Sequence, residues 1–369
     1  MTVSPAAIEA LVLRARRDID SGRLPAAQLA VAHEGELVVS EAFGDATTDS
    51  RFHTFSAIKP LVSLTVLELA AAGLLGLDDP VASYLPTFAA NGKAGITISH
   101  VLLHSGGFAH ARLRVEAWID RDARLATYET WESAGEPGGG YEYHPSSAHW
   151  VLADLITEVT GRHHVQVITE RMLDPVGLPA MLAIDTADQG DVKDLVSVGE
   201  PPDRGAHRAM FDVDPHSEVT NENLEAFNDP GIRASGHPGG GGIARAQDMA
   251  MWYQAVLHDP SLLVPQVRDD ALTTVRQRGA GGLGVATCRT HAFVLAGDDG
   301  KADHRGHGVG ASPLAFGHNG AKGQVAAADP DTGISYCYMT NGIEHDDLVS
   351  GRRSIAIATR AVACGLRRR

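Results

Sequence analysis

The feature that most constrains this chain is residues 52–77, FHTFSAIKPLVSLTVLELAAAGLLGL. The stretch predicts a long apolar helix that opens at Ser56 and is stopped by Gly76. Ser56 and Lys59 stand three apart at its start, which puts hydroxyl and amine on one face, one turn apart. That pairing suits a serine nucleophile with a lysine proton acceptor. A lone Ser-x-x-Lys is common, so later stretches must supply the other parts of an acyl-transfer site. Pro60 falls in the first turn, where its nitrogen has no carbonyl to bond and proline is tolerated. Proline disfavours helical geometry at Lys59, and the helix is expected to win.

Lysine usage sharpens the reading. The chain has five lysines, Lys59, Lys93, Lys193, Lys301 and Lys322, and arginine supplies most of its positive charge. A general base must lose its proton, which a guanidinium does not do in proteins. The bland alternative, a solvated lysine, fits poorly beside Ile58 and the apolar run 61–66.

The chain is 369 residues long and 44% hydrophobic, enough for one large domain or two lobes. A net charge of -15 argues against nucleic acid or an anionic membrane as partner. The basic tail Arg367-Arg368-Arg369 reads as solvated. Cys288, Cys337 and Cys364 lie far apart and read as buried apolar residues, with no disulfide framework or zinc site. The N-terminus reads as an amphipathic helix and not as a signal peptide. Residues 61–77 come nearest to a membrane span, and Glu68 breaks them. A soluble cytoplasmic protein is expected.

In chain order, residues 8–19 predict a helix, and 28–33 with 36–43 predict a hairpin turned at Glu34-Gly35. Residues 96–107 predict a capped helix stopped by Gly106-Gly107, with His104 bonding its last carbonyls. Residues 115–131 are expected to be helical. Tyr141 and Tyr143 follow a glycine hinge and precede a helix that ends at Gly161. They either project a phenol into a cleft or pack as a staple or core residue. Residues 185–228 look like a long irregular excursion that carries part of a substrate wall. The run 237–242, HPGGGG, lacks the phosphate-loop and dinucleotide patterns and reads as close backbone packing. From residue 281 short strands are expected, including 282–288, with an acidic and histidine-bearing loop at 297–310 read as solvated. Residues 329–333 form a turn, and 354–364 a closing helix. Strands near both ends with helices between predict an α+β fold, its sheet built from both termini.

On these residues the chain resembles the serine β-lactamase and penicillin-recognising superfamily. It is most similar to the class C branch, with its D,D-peptidases, family VIII carboxylesterases and acyltransferases. Ser56-x-x-Lys59 with LAAAGLLGLDDPVASYLP matches the first motif and its helix. ITISHVLLHSGGF and GGGGIARAQDMAMW resemble later segments. Tyr143-His144-Pro145 sits where the family has Tyr-x-Asn, and His318-Asn319-Gly320 where it has Lys-Thr-Gly or His-x-Gly. The resemblance implies a β-lactamase-like fold. Its antiparallel sheet domain spans 1–80 and 240–369, a mainly helical lobe spans 81–239, and the active site lies in the cleft between them.

The resemblance also implies roles. Ser56 attacks an ester or amide carbonyl, Lys59 accepts its proton and Tyr143 shares the proton traffic, with Tyr141 the second choice. The backbone N–H groups of Ser56 and Ala321 form the oxyanion hole. His318, Asn319, Gly320, His144 and Ser146 contact substrate. No cofactor or metal is needed. Pro145 removes the family's side-chain amide, for which Ser146 or Ser147 can substitute, and His318-Asn319 is similar to esterase members. Both departures point away from efficient β-lactam hydrolysis. The expected function is a serine hydrolase of small esters or amides. An acyltransferase and a non-catalytic binding protein are the alternatives, and the oligomeric state is left open.

Overall fold

The computed structural model describes residues 3–202, 205, 219–281 and 284–365. The basic tail, residues 203–204 and 206–218 of the long excursion, and residues 282–283 lie outside the described residues. The main sheet has six strands: β1 (Ala26–His33), β2 (Glu36–Gly44), β3 (Val294–Leu295), β4 (Phe316–Gly317), β5 (Val325–Asp329) and β6 (Ile334–Thr340). Their order is β2-β1-β6-β5-β4-β3, and every neighbouring pair is antiparallel. The N-terminal hairpin therefore joins the sheet through β1, which lies beside β6 from the far end of the chain. Ala27 pairs with Thr340 and His33 with Ile334. The expected hairpin is present, and its turn residues Glu34 (φ 51) and Gly35 (φ 83) take the left-handed pair that a two-residue hairpin demands.

Among the described residues the five longest helices are α1 (Pro5–Asp20), α2 (Lys59–Ala71), α3 (Ser147–Thr160), α4 (Ala246–His258) and α5 (Asp347–Val362). Strand periodicity sorts the sheet's side chains between them. Leu29, Val31, Ala327, Tyr336 and Tyr338 face one way and pack with Leu11 of α1 and Ile357 of α5. Ala30, Ala326, Cys337 and Met339 face the other way and pack with Met249, Tyr253 and Val256 of α4. Both faces are covered, which is why β1, β5 and β6 are buried along their whole lengths.

The helix α2 is apolar on every side, and all its residues from Lys59 to Leu67 are buried. It begins after a 3-10 turn, Phe55–Ile58, with Pro60 in its first turn and Lys59 in helical geometry (φ -53, ψ -40). It ends earlier than residue 76, because Gly73 turns the chain through φ 74. The helices α3 and His164–Met172 pack against it. Two short pairings tie these parts to the sheet region. Phe52–His53 pairs antiparallel with Ile243–Ala244, and Val196–Val198 pairs in parallel with Gly342–Glu344.

Three expectations need correction. Residues 284–288 of the expected strand form only isolated bridges, such as Ala280 with Ala286. The last helix starts at Asp347, because Asp346 caps it by accepting the Leu348 N–H. The excursion is less irregular than expected, since Val196–Val198, Asn221–Glu225 and Pro230–Ala234 are regular. Among the described residues no helix is long and apolar enough to cross a membrane.

A buried ion pair anchors α3. Asp154, fully buried, accepts from Arg124 Nε and Nη2, both at 2.7 Å, and from the Tyr128 hydroxyl at 2.7 Å. Arg124 also lies over the Trp150 ring, 4.4 Å from its centroid. Removing one partner strands a desolvated charge. Asp154→Ala should therefore cost about 3 to 5 kcal/mol of stability, read as a lower urea midpoint with an unchanged slope.

Candidate active site

The chain reaches Ser56 through a strained residue. Phe55 has φ 46, a left-handed conformation that costs about 1 kcal/mol or more for a bulky side chain. Its ring is held in place by Phe227, with centroids 6.2 Å apart. Just before it, Thr54 N–H donates to the Gly242 carbonyl at 2.8 Å. Gly242 has to be glycine, because a Cβ there would lie 2.8 Å from Ile58 Cβ. The glycine run thus serves close backbone packing, as its pattern suggested.

Lys59 Nζ lies 3.0 Å from Ser56 Oγ and 2.8 Å from the Pro145 carbonyl oxygen, and it also bonds the Gly239 carbonyl. Its side chain is 1% exposed. Burial, helped by the nearby Arg289 charge, pushes its pKa well below the ordinary value. A neutral amine has two N–H donors and one lone pair. Carbonyl oxygens only accept, so the two carbonyls take both donors and the lone pair is left for the Ser56 hydroxyl proton.

Tyr143 completes the triangle, with its hydroxyl 3.0 Å from Ser56 Oγ. Burial raises its pKa to about 12, and the hydrogen bond to Ser56 only partly offsets this. The phenol is therefore protonated at neutral pH and donates. Its ring lies 4.7 Å from His104 and 6.1 Å from His318, centroid to centroid. Tyr141 packs on His104 at 6.3 Å instead.

The third segment is His318-Asn319-Gly320, just after β4. Gly320 crosses directly over the Thr54 carbonyl, and any Cβ there would overlap that oxygen. This close approach sets Ala321 beside the Ser56 turn. Ser56 and Ala321 both stand at the start of 3-10 turns, where backbone N–H groups have no acceptor within the turn. His318 Nδ1 lies 3.0 Å from the Asn319 carbonyl oxygen and so carries the proton. Its Nε2 is buried with no partner among the described residues. The Asn319 side chain turns away from the cavity, donating to the Gly306 carbonyl and accepting from Ala326 N–H.

A cavity of about 570 Å³ opens over Ser56. Tyr143, Pro145, Ser146, His237 and residues 318–321 form its reactive end. Leu113, Val115, Trp118, Val219, Leu224 and Phe227 form an apolar wall. The last three belong to the excursion or border its outlying part, so the excursion lines the cavity. His144 does not line the cavity. Its buried ring accepts the Phe108 N–H at Nε2 and bonds the Glu142 carbonyl at Nδ1, which makes it a brace behind Tyr143. His104 bonds the helix end as expected and has a second role. At φ 55 it closes the Ile98–Leu102 helix through its backbone N–H, which donates to the Val101 carbonyl at 3.2 Å, while its side-chain Nδ1 accepts the His144 N–H at 3.1 Å and supports the tyrosine segment. His237, Trp118 and Arg289 gave no signal in the sequence. In the 297–310 loop Asp299 pairs with Arg305 and Asp303 with His304.

The comparisons agree with this architecture. The Beta-lactamase family model matches residues 12–360, and the chain belongs to that family. The esterase/beta-lactamase LipL of Mycobacterium tuberculosis (strain ATCC 25618 / H37Rv) is 25% identical over 90% of this chain and 81% of its own. A penicillin-binding protein homolog from Caulobacter crescentus superposes with a TM-score of 0.78 at 24% identity, over 99% of both chains. A family VIII carboxylesterase gives 0.78 at 22% identity, over 98% of this chain and 99% of that one. At these identities the structural likeness establishes the fold: α+β and β-lactamase-like.

A buried shell histidine gives a test of site electrostatics. His53 is 1% exposed, neither ring nitrogen has a partner among the described residues, and its ring stacks on Phe55 at 6.0 Å. Burial, then the Arg233 charge, lowers its pKa from 6.5 to about 3. The unfolded chain thus binds the proton more readily, and stability is lost as pH falls from 6.5 toward 3. Relative to wild type, His53→Leu should be about 2 kcal/mol more favourable at pH 5 than at pH 8 in denaturant titrations. An equal gap at both pH values would contradict a neutral buried imidazole.

Proposed function

We propose that this serine hydrolase of the β-lactamase fold cleaves an ester or amide of a small molecule through an acyl-enzyme on Ser56. The observation that carries the reading is the Ser56, Lys59 and Tyr143 triangle, with both contacts to Ser56 Oγ at 3.0 Å. Neutral Lys59 takes the Ser56 proton as Oγ attacks the substrate carbonyl carbon. The N–H groups of Ser56 and Ala321 receive the developing oxyanion, each worth about 3 kcal/mol of barrier. Tyr143 donates its proton to the leaving oxygen or nitrogen and is reprotonated through Lys59. Water then repeats the sequence on the acyl-enzyme. His318, Asn319 through its backbone, Gly320 and Ser146 border the substrate. His144 is withdrawn from that set.

The two-part organisation belongs to the same reading. Residues 1–80 and 240–369 supply Ser56 and the 318–321 segment, residues 81–239 supply Tyr143, His237 and the apolar wall, and the cleft lies between them. The wall favours an uncharged, largely apolar acyl group. A wall of this kind also suits an alcohol or amine in place of water, which is the acyltransferase alternative. Added alcohol would then divert product from acid to ester. The intact triangle argues against a non-catalytic binding protein. A cytoplasmic setting is part of the proposal, supported by three buried free thiols.

Intact-mass analysis with a fluorophosphonate probe tests the reading. Wild type should gain one adduct, mapped to Ser56, and Lys59→Ala should lose it or slow it severely. Tyr143→Phe should keep the fold and reduce kcat by roughly 10²–10⁴ on an ester substrate. The acid limb of kcat/KM should titrate well below the ordinary lysine value, since the base works deprotonated. An unlabelled Ser56 in folded wild-type protein would overturn the hydrolase reading.

A further inference from the structure

We propose that Ser146 presents its hydroxyl as a fixed hydrogen-bond donor to a carbonyl-type oxygen on the acyl part of the substrate. His237 is the positioning residue that fixes it. The inference deepens the hydrolase reading and rests on it.

Ser146 is the N-cap residue of α3. A serine there ordinarily accepts an N–H from the first turn. Ser146 makes no such bond. Its Oγ instead lies 2.9 Å from His237 Nε2. The roles in that contact are set from the other side of the ring. His237 Nδ1 lies 3.2 Å from the Gly239 backbone nitrogen. A backbone N–H only donates, so Nδ1 accepts, and a neutral imidazole then carries its proton on Nε2. Nε2–H therefore donates to Ser146 Oγ. The serine oxygen is occupied as an acceptor, and its own proton is left to donate elsewhere.

The ring has little freedom to change this arrangement. It is 4% exposed and packs edge-on against Trp118 at 4.5 Å, Trp150 at 5.2 Å and Phe227 at 5.7 Å. Burial above all lowers its pKa to about 3, so it stays neutral in the working range. Gly239 links the dyad to the reaction, because its carbonyl takes an N–H of Lys59 while its own N–H sets the His237 tautomer. Ser146 lines the same cavity as Ser56 and Tyr143. It is adjacent to Pro145, which has no side-chain donor to offer.

The chemistry selected is an sp² oxygen on the acyl chain: a ketone, an amide or a second ester. A plain alkyl chain leaves the oriented hydroxyl unmet, and a site built around a hydrogen bond discriminates against analogues that lack the partner.

The test uses p-nitrophenyl esters of straight-chain acids with a keto group at carbon 3, 4 or 5, each beside its parent alkanoate. In wild type at least one keto ester should exceed its parent in kcat/KM by about tenfold. In Ser146→Ala and in His237→Phe that ratio should fall to near unity, and Ser146→Thr should restore most of it. A loss of activity that leaves the keto-to-parent ratio unchanged in Ser146→Ala would overturn the proposal, as would a ratio near unity for every wild-type pair. Fluorophosphonate labelling of wild-type Ser56 and turnover of the parent esters separate the two readings. If both occur and the ratio is flat, only this proposal fails. If neither occurs, the hydrolase reading fails and takes this proposal with it.

Discussion

The site depends on an amine buried without a carboxylate. Lys59 Nζ meets Ser56 Oγ, the Pro145 carbonyl and the Gly239 carbonyl, at 1% exposure. An ammonium in that place would carry an uncompensated charge costing several kcal/mol. The neutral amine avoids most of that cost and satisfies both carbonyls. Arg289 nearby acts in the same direction. Three backbone features then become explicable together. The glycine run must come close enough to offer the Gly239 carbonyl. The segment before α3 must bring the Pro145 carbonyl inward. The helix α2 must be apolar on all sides so that its first residue is kept from water.

The shell around the amine follows the same rule. His53, His144 and His237 are buried, and their pKa values are held at about 3, 4 and 3, mainly by burial. Histidine supplies hydrogen-bonding capacity to such a shell without adding charge above mildly acidic pH. Arg124 and Asp154 form a buried ion pair, while the buried Arg289 guanidinium lies 5.9 Å from the Tyr143 ring centroid and adds positive charge that disfavours an ammonium at Lys59. The groups that touch Ser56 Oγ directly, the Lys59 amine and the Tyr143 phenol, are thus favoured in their neutral forms. At these groups a proton can pass from Ser56 to Lys59 and from Tyr143 to a leaving group with little solvent to reorganise.

Much of this was legible in the sequence, for reasons that differ by element. The hairpin, α2 and the β5–β6 turn announce themselves through local patterns, since periodicity and turn chemistry act over a few residues. Ser56, Lys59 and Tyr143 were legible because their order and spacing resemble a known family, and the structure places all three within hydrogen-bond reach. What stayed hidden depends on long-range contact. His237 lies 91 positions from Ser146, so nothing in its neighbourhood reveals the bond. His104 sits at a helix stop, and its support of the tyrosine segment arises only once residues 141–144 fold over it. The His144 expectation failed for a simple geometric reason. It follows Tyr143 directly, so with the phenol aimed at Ser56 its own ring faces the other way, into the protein.

Pro145 is the position from which specificity is best argued. In the resembled family this residue offers a side-chain amide to the substrate, and here a proline ring has none. The main chain keeps its task, since the Pro145 carbonyl still holds Lys59 at 2.8 Å. Proton transfer and substrate recognition, joined at one position by the resemblance, are thus separable in this chain. The first survives substitution because it uses only backbone. The second has to be met one residue later, where Ser146 forgoes its helix cap and turns to His237, or else it is lost to the apolar wall. A cleft of this composition should lean toward substrates that combine an apolar acyl chain with a single well-placed acceptor, and away from ligands that need several polar contacts at once.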